Sequence, residues 1–278
     1  MFARGTATDE KRWKSVMIIH KTIYEDTELF RIMPLERFIQ LLSTNSNVLV
    51  RPSMWEDPYE RVVAKSVMFI DGKNIPFDET RWYGQCWTRN PESDALWRIF
   101  TNGKNIRAVM IKSTSDIIMQ SLYRVEKSSK RVYFLENVEY PEESENEKET
   151  LAKTYHFEWM WEHGYNIKFE NLGLEDNNIA AAPVLLTKRH AFEHEKEVRL
   201  LCYWKKKQPK KQTVYSYKIP SLVSFLKDEV IVDPWAPEGF DDALKETIDK
   251  FLPTNNLSVR KSNLYKEWDK GFQFRPNL

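Results

Sequence analysis

Cysteine is nearly absent from this chain: Cys86 and Cys202 are the only two in 278 residues. They stand too far apart for a zinc knuckle or a disulfide framework, which predicts a reduced, cytoplasmic protein. Glycine is scarce too, eight in all, and no P-loop, G-x-G-x-x-G, nucleophile elbow or kinase word occurs. Long apolar runs are missing: nothing approaches the ~20 residues of a membrane helix. Met1 to Lys14 is polar and charged rather than an apolar signal core, so neither secretion by that route nor a membrane span is expected. Charge of one sign is not in excess either. The 42 Lys+Arg against 41 Asp+Glu leave +1, so no global field drives the chain toward nucleic acid or an acidic membrane, although a local patch can.

What is present is enough apolar material for a proper core, 41% of residues, and alternating short apolar segments. Residues 16–19, 28–33, 48–50, 82–88, 106–111, 123–125, 131–140, 197–204, 213–219, 229–232 and 257–260 read as strands. Helices are predicted after Pro34, from Pro58 through Val63 and Val67, over 94–100 with Gly103 as its stop, and over 241–252. The acidic run from Glu142 to Glu149 starts an expected helical insertion over 142–180. Lys205 to Lys211 is read as a basic hairpin turn. No internal repeat is found, and the pattern predicts a single α+β domain over 1–278.

The densest chemistry lies in Lys188-Arg189-His190-Ala191-Phe192-Glu193-His194-Glu195-Lys196-Glu197-Val198-Arg199, where acids and bases run into an apolar strand. Buried charges must be paired, so this segment is either an ion-pair network or a site for a charged ligand. Glu195-Lys196-Glu197 is an E-x-E word whose carboxylates share a face if it is a strand.

Leu29-Phe30-Arg31, the loop Trp55-Glu56-Asp57-Pro58-Tyr59-Glu60, Cys86-Trp87-Thr88 with Leu96-Trp97, and Phe192 to Arg199 follow one another in an order that resembles the bacterial family called domain of unknown function 2971, across residues 28–262. Members commonly carry Asn where Glu56 stands. The family layout is similar to ADP-ribosyltransferases, including toxins that modify nucleic acid. That resemblance implies a split, mostly antiparallel β core, NAD as substrate, a toxin or phage-defence setting, and RNA or single-stranded DNA as acceptor. An antitoxin or regulatory protein is the implied partner. Matched position by position, it places Arg31 on the first core strand, Thr88 with Tyr83 on a middle strand, and Glu197 on a late strand; Cys86-Trp87-Thr88 stands in place of the usual Ser-Thr-Ser.

The chemistry gives each residue a task. Breaking the nicotinamide–ribose bond builds positive charge on the sugar, which Glu197 would stabilise while Glu195 positions the acceptor. Arg31 would clasp the pyrophosphate or ribose in a planar fork. Tyr83, Trp87 and Trp97 would wall the nicotinamide pocket. On this reading Glu197→Gln abolishes transfer with little loss of stability. The same residues also have plain structural roles open to them. Arg31 can pair with Asp57 or Glu60; Glu195, Glu197 and Arg199 can form a salt-bridge ladder on a solvated face; the aromatics can be core.

Two other function classes stay open. His190 and His194, four apart, with Glu193 or Glu197, suit a metal-dependent nuclease or hydrolase, although the word is not H-E-x-x-H. Phe157, Trp159, Trp161 and Tyr165 suit a non-enzymatic module that binds a partner through aromatics.

Overall fold

The computed structural model describes residues 17–19, 26–63, 67–70, 73–125, 130–141 and 182–266. The expected insertion over 142–180, and with it the Phe157 to Tyr165 cluster, lies outside them. The strands are β1 (Met17–Ile19), β2 (Glu28–Pro34), β3 (Ser46–Val50), β4 (Val67–Ile70), β5 (Lys73–Pro76), β6 (Trp82–Thr88), β7 (Ala108–Thr114), β8 (Arg131–Asn137), β9 (Glu197–Trp204), β10 (Val214–Lys218), β11 (Glu229–Val232) and β12 (Ser258–Lys261). The helices are α1 (Leu35–Thr44), α2 (Pro58–Val63), α3 (Asp94–Phe100), α4 (Ser115–Val125), α5 (Leu222–Phe225) and α6 (Phe240–Phe251). The fold is mixed α and β around a mostly antiparallel sheet, as expected, and no helix of the described residues is long and apolar enough to cross a membrane.

Local chemistry explains the helix ends. In α1, Phe38, Leu41 and Leu42 form one buried stripe, and the helix stops at Asn45, whose left-handed backbone (φ 50°) lets its N–H reach the Leu41 carbonyl. Three expectations need correction. The helix begun at Pro58 ends at Val63, and Val67 opens strand β4, because its β-branched and aromatic neighbours suit a two-stranded hairpin with β5. Tyr123 to Val125 close helix α4, whose Ile118, Met119 and Leu122 supply the helical period that three residues alone cannot display. Finally, β10 does not form a hairpin with β9 but pairs with β3, Tyr215 opposite Leu49, so Lys205 to Lys211 bridges two separate parts of the sheet.

The main path of the sheet runs β1-β8-β9-β6-β2-β7-β11-β12, and β3 with β10 branch from β6. Along one edge β6 is fully paired to β9, from Trp82–Tyr203 to Thr88–Glu197. Its other edge meets two strands, β3 at Gly84 opposite Val50 and β2 at Thr88 opposite Phe30. The sheet therefore forks along β6, around Cys86. Directly paired residues share a face, so Phe30, Thr88, Cys86, Glu197 and Arg199 look to one side, while Tyr83, Gln85, Trp87, Val198 and Leu200 look to the other. The second side carries the larger core, with Trp87, Tyr83, Phe38 and Phe225; the first carries a smaller one of Phe30, Ile32, Leu96, Trp97 and Met110.

Gly84 fixes how closely the loop before α2 lies on β6. A Cβ there would stand 2.6 Å from Trp55 Cζ2 and 3.1 Å from Leu201 Cδ2. Gly84→Ala is expected to destabilise the protein by about 1–3 kcal/mol, read as a lower denaturant midpoint at unchanged m-value. The overpacking would push on an indole that also stacks on Arg199, so the effect reaches the charged cluster described next.

Candidate functional site

The strand β9 opens on a buried cluster of charge. Glu197 is 4% exposed and Arg199 1%, two residues on along the same strand face. Arg199 grips both carboxylate oxygens, Nε to Oε1 at 2.6 Å and Nη2 to Oε2 at 3.0 Å. Its other donors go to the Leu185 carbonyl (2.6 Å) and to Glu60 of α2 in a short ion pair, and its plane lies over the Trp55 ring, 4.4 Å from guanidinium carbon to centroid. Lys188 Nζ bridges Glu195 Oε2 (2.6 Å) and Glu197 Oε2 (3.4 Å). Three carboxylates, Glu60, Glu195 and Glu197, thus meet two cations, Lys188 and Arg199, which leaves one negative charge in excess.

Burial alone would keep Glu197 protonated, but Arg199, with help from Lys188 and Cys86, outweighs it and pulls the pKa down to about 2. Glu60 goes the other way: desolvation raises its pKa despite Arg199. Burial also pushes the half-buried Cys86 thiol well up, and the Glu197 carboxylate adds to this. Tyr140 presents its hydroxyl to the Glu197 backbone N–H at 2.8 Å.

Thr88, opposite Glu197, stitches the end of β6 to the preceding turn. Its Oγ1 donates to the Glu195 carbonyl (2.5 Å) and accepts from Asn90 N–H (3.0 Å), while Asn90 Nδ2 donates to the His194 carbonyl (2.7 Å). His190–Glu195 is a 3-10 segment that ends at Lys196, held in the left-handed region (φ 44°). The E-x-E word is therefore not strand throughout: only Glu197 belongs to β9. Lys188 reunites the two carboxylates instead.

The remaining candidates fall in different places. Trp87 and Tyr83 look to the opposite side and are core: Trp87 Nε1 donates to Gln85 Oε1 (2.8 Å) and its ring meets Phe225 edge-on, while Tyr83 donates to the Gln212 carbonyl (3.0 Å). Trp97 is fully buried in the smaller core beside Phe30. None of the three is placed to sandwich a ring against Glu197, because large aromatics gain most by complete burial.

Arg31 follows Phe30, the single residue of β2 paired to β6, so it stands where β2 leaves β6 at the fork. It is half-buried, and among the described residues it has no hydrogen-bond or ion-pair partner. Desolvation lowers its pKa to about 10; Cys86 and Tyr217 act to raise it and Arg37 to lower it. The carboxylates expected to pair with it are taken, Asp57 by Arg189 (3.0 Å) and Glu60 by Arg199. By register Arg31, the neighbour of Phe30, looks to the side of Tyr83 and Trp87, opposite to Cys86 and Glu197.

Neither histidine enters the cluster. Both are exposed, and His190 Nδ1 and His194 Nδ1 lie 3.4 and 3.2 Å from the carbonyls of Tyr140 and Ala191. Among the described residues no three His, Cys, Asp or Glu side chains gather as a metal site would require. Sequence reasoning missed Lys188 and Tyr140 and the embrace of Arg199 by Glu60 and Trp55. The i, i+2 spacing of Glu197 and Arg199 was the one signal of it, since it places both on one strand face.

No protein-family model and no curated protein matches the chain. Among solved structures it is similar to Thermus sp. 2.9 DarT in complex with NAD+, at 10% identity and a TM-score of 0.36 over 86% of this chain and 96% of that one. It is likewise similar to Thermus sp. 2.9 DarT in complex with ADP-ribosylated ssDNA, at 10% identity and a TM-score of 0.37 over 87% and 97%.

Proposed function

We propose that the chain is an NAD-dependent ADP-ribosyltransferase that splits NAD and passes ADP-ribose to a macromolecule, nucleic acid in preference to protein. One observation carries the reading: Glu197, buried and ionised at the start of β9, is gripped by Arg199 and Lys188 in a cluster with one negative charge in excess, beside the fork of the sheet at whose opposite face stands Arg31, without a hydrogen-bond or ion-pair partner among the described residues. A dinucleotide has the matching charges. Its diphosphate supplies the anion that Arg31 lacks, and the cation that develops on its ribose meets a cluster with one negative charge in excess. The bond from ribose C1′ to the nicotinamide nitrogen breaks with its electron pair leaving on nicotinamide. The acceptor then bonds to C1′ and releases a proton. Glu195, tied through its side chain to Lys188 and through its carbonyl to Thr88, is the residue assigned to position the acceptor.

A second reading, that the cluster only fastens the start of β9 to the Trp55–Glu60 loop, is favoured by the full engagement of Glu197 with Arg199. Arg31 separates the two. Arg31→Met is expected to weaken NAD binding about 10- to 100-fold, the loss of a charge-assisted contact, while thermal stability holds because the half-buried guanidinium has no hydrogen-bond or ion-pair partner among the described residues to lose. The check is NAD calorimetry beside thermal melts, with nicotinamide release by the wild type. No NAD binding and no nicotinamide release by the wild type would leave the fastening role.

A further inference from the structure

We infer that the lysine-rich segment 205–212 is a phosphate-binding platform for single-stranded nucleic acid, set apart from the Glu197 site. The segment is not a loose charged loop. Arg51, 2% exposed, donates both terminal nitrogens to the carbonyls of Lys210 and Pro209 at 2.7 Å, and Arg81 donates to the Lys205 carbonyl at 2.9 Å. Tyr83 donates to the Gln212 carbonyl, and Gln208 N–H to the Thr80 carbonyl at 3.3 Å. A run of lysines that merely solvated the surface would not call for a buried guanidinium to hold its backbone.

Three of the side chains that this frame displays are unneutralised. Lys206, Lys210 and Lys211 are exposed and form no ion pair among the described residues, while Lys207 shares Asp78 with Arg81. Beside it, Lys130 is exposed in the turn before β8, and Arg131, the first residue of β8, lies over the rings of Trp204 (4.6 Å) and Tyr215 (5.3 Å). A chain of net charge +1 thus concentrates cations at one end of its sheet, backed by aromatics, which is the chemistry of a nucleic-acid backbone track. Seven steps along β9 separate Trp204 from Glu197, about 23 Å at 3.3 Å per residue, and Trp204 looks to the side of Val198 and Leu200, so a strand that reaches both must also pass round the sheet. A strand stacked at about 3.4 Å per nucleotide needs more than about seven nucleotides to touch both.

The acceptor class comes from the transferase reading, but the test uses no NAD. Binding of a fluorescent twelve-nucleotide single-stranded DNA and of its RNA counterpart is measured against salt for the wild type and for Lys206→Gln/Lys210→Gln/Lys211→Gln. Losing three phosphate contacts should flatten the slope of log K against log salt by about 2 and weaken binding about 100-fold near 0.1 M salt. A four-nucleotide strand labelled at the 5′ end should bind this platform yet not protect Glu195, the more exposed of the two carboxylates on Lys188, from a water-soluble carbodiimide, whereas the longer strand should. An unchanged slope in the triple variant, or wild-type binding to heparin but to neither oligonucleotide, overturns the inference. Should the wild type release no nicotinamide while the triple variant still loses oligonucleotide binding, the platform stands and the transferase reading falls.

Discussion

Arg199→Leu is expected to destabilise the protein by about 3–5 kcal/mol, because it leaves Glu60 and Glu197, both buried, facing each other with Lys188 as their remaining cation. The pH dependence should change with it. In the wild type Glu197 is held at about 2 against an ordinary 4.5, so its contribution, about 3 kcal/mol, is complete above about pH 5 and is lost as the pH falls toward 2. Glu60 works in the opposite sense: its folded pKa is raised, so its favourable share exists below its unfolded value and vanishes as the pH rises through the folded one. Removing Arg199 deprives Glu197 of its main cation and turns it into a second Glu60. Urea melts from pH 7 to pH 3 should therefore show wild-type stability falling with acid and variant stability rising. Adding Glu60→Gln and Glu197→Gln to Arg199→Leu should recover much of the loss, since no buried charge then lacks a partner. If Arg199→Leu melts like the wild type at pH 7, the cluster does not hold the fold.

Why was this arrangement only partly readable from sequence? Strand-forming segments such as Trp82 to Thr88 and Glu197 to Trp204 announce themselves, because both of their faces are buried and they are rich in aromatic and aliphatic side chains. Their faces do not announce themselves. Tyr83 and Trp87 look like pocket walls in a list of aromatics, and only the register against β9 puts them on the side away from Glu197. Arg31 was legible as a candidate, yet its lack of a counter-anion depends on Asp57 and Glu60 being engaged by Arg189 and Arg199, over 130 residues away in the chain. Nor could the sequence tell that β10 would choose β3 over its neighbour β9, because that choice turns on where Arg51 and Arg81 tie the intervening lysines. Short spacing rules report local geometry; partners across the sheet come from the long-range folding that those rules do not contain.

Glu197→Gln should lower nicotinamide release by about 10²–10³-fold, the usual consequence of removing a preorganised charge aimed at a developing cation. The structure alters the expectation that this change is silent for stability. Glutamine keeps the shape and can still accept from Arg199 Nε, but its amide nitrogen must then face both Arg199 Nη2 and Lys188, each a donor. The cluster also goes from one negative charge in excess to balance, with Glu60 and Glu195 left to neutralise Arg199 and Lys188. A loss of about 2–3 kcal/mol follows, below the full cost of stranding a charge because Glu60 still holds Arg199. Activity must therefore be compared well under the variant's melting temperature, with NAD affinity measured beside it. If Arg31 anchors the diphosphate as proposed, the Kd for NAD should move little while the turnover falls, which separates a role in bond breaking from a collapse of the site. The pH profile gives an independent check. A carboxylate with a pKa of about 2 stays ionised at every pH at which the protein is folded and active, so Glu197 should impose no acid limb on turnover above about pH 3. Weakening its main cation should create one. Arg199→Lys, which keeps the charge but cannot grip both oxygens, should let the Glu197 pKa rise and bring an acid limb into the measurable range; a profile identical to the wild type would mean that Glu197 is not the charge on which the reaction depends.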